Sequence, residues 1–182
     1  ATVGLAVYGG GQGASSVSEA NEYGMAYNTS VLIEGNVNVD NVFGGNNQGG
    51  ATVDSLVNVE PNNVADLSVN NVFGGSNGFN ASISGTTTTN IKSGVVKQDV
   101  FGGGNQAKVV RATYVNMYGG EVNNLYGGGN RSFVGNVTVN DAGEISSKVN
   151  ATLGTTHVNV INGVINENVY GSSNASFVIG NT

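Results

Sequence analysis

Six times this chain returns to a branched aliphatic residue, an aromatic residue and a glycine. The copies are Val7-Tyr8-Gly9, Val42-Phe43-Gly44, Val72-Phe73-Gly74, Val100-Phe101-Gly102, Leu125-Tyr126-Gly127 and Val169-Tyr170-Gly171. Asn77, Asn105, Asn130 and Asn174 each stand three positions after the first glycine of their phrase. The interval between copies runs from 25 residues (Val100 to Leu125) to 44 (Leu125 to Val169). Self-similarity at such a period marks an array whose units bury their apolar faces against one another. In an array, function is sought along columns of equivalent residues and at the ends, where stacking stops.

A second motif precedes the glycine phrases: Thr29-Ser30-Val31-Leu32-Ile33, Ser55-Leu56-Val57-Asn58-Val59, Thr87-Thr88-Thr89-Asn90-Ile91, Thr113-Tyr114-Val115-Asn116-Met117 and Thr156-His157-Val158-Asn159-Val160. Its first, third and fifth residues share one face of a strand, and its second and fourth the other. The first face reads as core. The second carries a column of asparagines that can hydrogen-bond from strand to strand. Turn residues follow at Gly35, Pro61-Asn62-Asn63, Ser93-Gly94, Gly119-Gly120 and Asn162-Gly163. β-branched content and turn chemistry predict strands throughout; only Glu19 to Tyr27 has modest helical propensity.

Two or three short strands per repeat suit one turn of a parallel β-solenoid, whereas a propeller blade needs about 40 residues and four strands. The expectation is a single all-β domain over residues 1–182, a parallel β-solenoid (β-helix) of five to six coils whose handedness the sequence leaves open. Loops near 12–28 and 141–155 absorb the longer intervals. The paired glycines are expected at tight corners that need positive φ. The phrase Gly102-Gly103-Gly104-Asn105 resembles the glycine-asparagine corners of β-solenoid repeat proteins of prokaryotic cell surfaces, adhesin-like and autotransporter-passenger-like chains. That resemblance implies an extracellular or cell-surface location and a structural or adhesive role.

Composition narrows the chemistry. A net charge of −6 with six scattered basic residues gives no cationic surface for nucleic acid. No apolar run has the length needed to span a bilayer, so no membrane insertion is expected. With no cysteine, there is no disulfide scaffold. The twelve acidic residues form no repeated pair of the kind glycoside hydrolysis uses, and the position of Asp99 is Asn in other copies, so no catalytic residue is assigned. His157 is the only histidine, and neither zinc nor another cofactor is expected from it. Asp40, Asp99 and Asp141 are the first places to look for calcium, but asparagine stands where carboxylates would be needed. Asn-x-Ser/Thr sequons at Asn28, Asn80, Asn130, Asn136, Asn150 and Asn174 are candidate glycan sites, in a number that the abundance of asparagine accounts for.

Two apolar β segments lie near the ends: Thr2, Val3, Leu5 and Val7, and Ser176, Phe177, Val178 and Ile179. Both lack the charges or proline that protect natural sheet edges. The sequence therefore predicts a non-enzymatic subunit that joins end to end, Thr2–Val7 of one copy pairing with Ser176–Ile179 of another, in a filament or surface fibre. The alternative is a carbohydrate- or host-binding module of a larger adhesin, with the long loops as its binding surface.

Overall fold

A computed structural model describes residues 1–14, 24–61, 67–139 and 145–182, with the side chains of 67, 137–139 and 145–153 left aside. The protein is all-β, and its strands, almost all parallel, form two sheets; the described residues contain no helix. The first sheet runs β1 (Thr2–Tyr8), β3 (Val37–Phe43), β5 (Leu67–Phe73), β8 (Val95–Phe101) and β11 (Glu121–Tyr126). It ends on the short β14 (Val164–Ile165) and β15 (Val169–Tyr170), both paired with β11. The second sheet has as its spine β2 (Ala26–Ile33), β4 (Gly49–Val59), β7 (Thr86–Ile91), β10 (Ala112–Met117) and β13 (Ile145–Val160). The first residues of β4 pair instead with β6 (Asn80–Ile83), and β6 pairs with β9 (Lys108–Val109). Isolated bridges carry this side ladder on from Val109 to Val134 and Val178.

The chain passes from one sheet to the other and returns one strand further along, so each second-sheet strand and the first-sheet strand after it make up a tier. Register is kept from tier to tier. Thr113 faces Thr87 on one side and Thr156 on the other, and Asn116 faces Asn90 and Asn159. Alternation explains why the register is fixed, since a slip of one residue would turn the apolar set outward. Val57, Val59, Val69, Val72, Ile91, Val100, Val115, Met117, Val122 and Leu125 are fully buried in one continuous core. Val31 and Ile33 are also buried, as their alternation predicts. Val158 is only half-buried and Val160 is exposed, because β13 is the outermost spine strand and no described strand pairs with it beyond these two positions.

The aromatic column lies outside this core. Tyr8, Phe43, Phe73, Phe101, Tyr126 and Tyr170 stack ring on ring at centroid separations of 4.7–4.9 Å, with planes within 11° of parallel. Ladder spacing sets that distance, which falls in the range favoured by offset-stacked rings. Burying the phenyl rings of Phe43, Phe73 and Phe101 makes a second apolar cluster beside the first.

The paired glycines are not where positive φ occurs. Among the first two glycines of every phrase none has positive φ; the left-handed glycines include Gly35, Gly94, Gly120 and Gly163, at the turns between the sheets. The reason for glycine in the phrases is close approach. A Cβ on Gly44 would lie 2.1 Å from the Gly74 carbonyl oxygen, one on Gly74 2.3 Å from that of Gly102, and one on Gly102 2.2 Å from that of Gly127. Each corner thus aims a carbonyl at the α-carbon of the tier before it.

The region expected as an outward loop at 141–155 contains strand from residue 145 on. There β13 pairs antiparallel with β12 (Gly135–Val139), so this insertion is a hairpin in its described part. Of the region 12–28, Ala26 to Asn28 belong to β2, and 15–23 lie outside the described residues.

Candidate functional site

The described residues show no cluster of three or more His, Asp or Glu able to hold a metal. Among the described residues no helix is long and apolar enough to cross a membrane. Asp40 accepts from Asn70 Nδ2 at 3.0 Å and Asp99 from Asn124 Nδ2 at 2.9 Å, so both serve in the ladders, while Asp141 lies outside the described residues. His157 stacks on Tyr114 with centroids 4.7 Å apart on the outer face of the second sheet. The distinctive chemistry lies in three column systems and in how they stop.

The first is a row of hydroxyl clasps. Thr29 Oγ1 donates to the Gly44 carbonyl, Ser55 Oγ to Gly74, Thr87 Oγ1 to Gly102, Thr113 Oγ1 to Gly127 and Thr156 Oγ1 to Gly171. Each clasp ties the second-sheet strand of a tier to the glycine corner of the same tier. A Ser or Thr on an otherwise apolar face is thereby satisfied, and so, at Gly44, Gly74, Gly102 and Gly127, is a buried carbonyl. The sequence placed these hydroxyls on the inward face but gave no sign of their partner, which lies 14–19 residues downstream.

The second is a set of amide ladders. One runs Gln12, Asn47, Asn77, Asn105, Asn130, Asn174, each Nδ2 donating to the side-chain oxygen of the tier before at 2.9–3.2 Å. Another runs Asn58, Asn90, Asn116, Asn159 at 2.7–2.9 Å. Gln12 and Asn47 were missed in the sequence reading, although both stand three positions after the first glycine of their phrase, the offset that marks the rest.

These ladders sort the sequons. Asn130 and Asn174 donate their Nδ2 along the first ladder, so a glycan on that nitrogen would compete with a ladder link. Asn80 is half-buried and has a polar partner, Asn136 is half-buried, and the Asn150 side chain is outside the description. Asn28, on β2, is exposed.

The third system is the pair of ends. Val160 and Val169 are 48 and 47 % exposed, whereas their counterparts one tier back, Met117 and Leu125, are fully buried, and Tyr170 is 43 % exposed where Tyr126 is half-buried. At the opposite end Val3 and Val7 are half-buried and Leu5 is 79 % exposed. The two segments singled out in the sequence occupy different columns. Thr2, Val3 and Val7 belong to β1, the free edge of the first sheet. Ser176, Phe177, Val178 and Ile179 lie beside the side ladder: Phe177 packs on Phe133 with ring centroids 4.6 Å apart and planes tilted by 35°, and Val178 bridges to Val134. A straight stack therefore does not bring Thr2–Val7 onto Ser176–Ile179.

Tyr126 has its phenol raised above the ordinary 10.0, first by burial and then by the charges of Asp99, Tyr170 and Glu167. Burial also raises that of Tyr8, with a hydrogen bond to Asn77 acting in the opposite sense. Comparison with protein-family models, curated proteins and solved structures gives no match to this chain.

Proposed function

We propose that the chain is a parallel β-solenoid serving as a non-enzymatic structural element outside the cell, a subunit that stacks end to end in a filament or surface fibre. The observation that carries this reading is the contrast between tiers. The same columns that are sealed at Met117 and Leu125 lie open at Val160 and Val169. Stacked repeats hold together through neighbour contacts, and an uncovered terminal repeat has the same affinity for a further tier as an internal one. A head-to-tail contact of this kind does not close on itself and gives an open fibre.

Electron microscopy and sedimentation of the purified chain test the proposal. Filaments one molecule wide are expected from the parent. Val160→Lys and Val169→Lys should keep the β circular-dichroism signal and remain short. A parent chain that stays a compact monomer at high concentration overturns the reading, and would favour a binding module within a longer adhesin.

A further inference from the structure

The two ends differ in a way that makes them fit each other. Among the described residues the first sheet has one tier more than the second-sheet spine. β1 has no spine strand at its own level, since β2 belongs to the tier of β3. At the other end β16 (Gly180–Asn181) pairs with Gly154 and Thr155, one level beyond β13. Thr182, next in that register, places its Cβ 3.5 Å from the Cβ position of Gly171. Thr29, Ser55 and Thr113 stand in the same relation to Gly9, Gly44 and Gly102, at 3.0–3.1 Å. Thr182 thus occupies the clasp column at a level where the described residues offer no glycine corner. Gly9 is a glycine corner for whose carbonyl the described residues provide no clasp.

We propose that these are two halves of one shared tier, completed when a second copy of this chain docks head to tail; the inference rests on the end-to-end reading above. In the joint, β1 of one copy continues the first sheet beyond β14 and β15 of the other. Val3 then falls on Ile165, Ala6 on Asn168, Val7 on Val169 and Tyr8 on Tyr170, by the register kept inside the molecule. Every internal joint has a glycine N–H donating to the next aromatic carbonyl, from Gly9 to Phe43 at 3.0 Å through to Gly127 to Tyr170 at 2.8 Å. The free N–H of Gly171 meets the Tyr8 carbonyl of the second copy in the same way. Thr182 Oγ1 donates to the second copy's Gly9 carbonyl, and the aromatic stack runs on without a break.

The chain has no cysteine, so thiol cross-linking reads the joint directly. Ala6→Cys chains are mixed with Asn168→Cys chains under assembly conditions and treated with a short bifunctional thiol reagent. An Ala6–Asn168 cross-linked pair is expected to predominate. It should exceed by about tenfold both the pair from Ala6→Cys with Ser176→Cys and the pair from two Ala6→Cys chains, as a fixed register requires. Thr182 is exposed, so Thr182→Ala should leave the melting curve unchanged while weakening association by about three- to tenfold, the worth of one hydrogen bond. Thr182→Ser should restore association. Filaments that persist with the Ser176 or head-to-head cross-link dominant, or with Thr182→Ala assembling like the parent, overturn the shared tier while leaving end-to-end assembly intact. Absence of both filaments and cross-links overturns the two together.

Discussion

Gly102→Ala tests why the phrases carry glycine. The added Cβ would sit 2.2 Å from the Gly127 carbonyl oxygen, 2.9 Å from Val115 Cγ2 and 3.0 Å from Thr113 Cβ. Carbon and oxygen need roughly 3.3 Å, so the two tiers must part locally by about 1 Å. The bonds that cross this gap are Gly102 N–H to the Tyr126 carbonyl at 2.9 Å and Gly103 N–H to the Gly128 carbonyl at 3.0 Å. Opening by that amount carries both past the limit of about 3.2 Å, and the Gly127 carbonyl is pushed off its Thr113 clasp. Three bonds at about 1 kcal/mol each give about 3 kcal/mol, in line with the cost of overpacking a tight interior. For a domain of this size the melting temperature should fall by about 6–12 °C. Gly35 is the control, because its φ is 69° and a Cβ there meets nothing within 4 Å. Gly35→Ala should cost about 1–2 kcal/mol through the left-handed backbone alone. Gly35→Asn should recover much of that, since asparagine tolerates this conformation, while Gly102→Asn should recover nothing. Thermal melts at low protein concentration, followed by circular dichroism, decide the matter. A Gly102→Ala protein melting within about 2 °C of the parent would refute the close-approach argument.

Thr113→Val, which keeps the shape and removes the donor, should cost about 1–3 kcal/mol by leaving the buried Gly127 carbonyl unclasped, and Thr113→Ser should recover most of it in the same melts. Tyr126 ionises at higher pH in the folded chain than in the unfolded one, so above about pH 10 the unfolded state sheds its proton first and stability falls as pH rises. Tyr126→Phe should make the urea midpoint fall less between about pH 8 and about pH 11 than it does in the parent.

Much of the architecture was legible because it depends on alternation. The Thr113-to-Met117 strand and its equivalents declare an inward and an outward face, and the same spacing recurring in five copies fixes them as neighbours. The aromatic and asparagine columns follow from that register alone. What could not be read depends on distances between residues far apart in the chain. Nothing local to Gly102 says that its hydrogen faces the Gly127 carbonyl, so positive φ was the natural expectation, yet it belongs to the turn glycines instead. Nothing near Thr156 points to the Gly171 carbonyl. Apolar character alone suggested pairing Thr2–Val7 with Ser176–Ile179, whereas their columns depend on the corner that turns Ser176–Ile179 away from the first sheet. The exposure of Val160 was likewise invisible, because its pattern matches that of the buried Met117 and only the number of tiers above it differs.

The amide ladders have a sense as well as a position. Every asparagine-to-asparagine link runs from the later tier to the earlier: Asn159 to Asn116 to Asn90 to Asn58, and Asn174 back through Asn130 and Asn105 to Asn77 and Asn47. Amides aligned in this way add their dipoles and polarise one another along the row. One end of the row accordingly finishes on a carboxamide oxygen, at Asn174 and Asn159, and the other on the Gln12 amide nitrogen. A carboxylate can receive in such a row but cannot pass a proton on. At Asp99 the row beside the aromatics is broken in this way, and Asn71 on its far side donates back to Asn41 at 3.1 Å and also forward to Gln98 at 2.9 Å. The molecule is thus an arrow in its electrostatics, with two ends of opposite partial charge, so that the proposed head-to-tail docking would continue the rows and a like-to-like contact would oppose them.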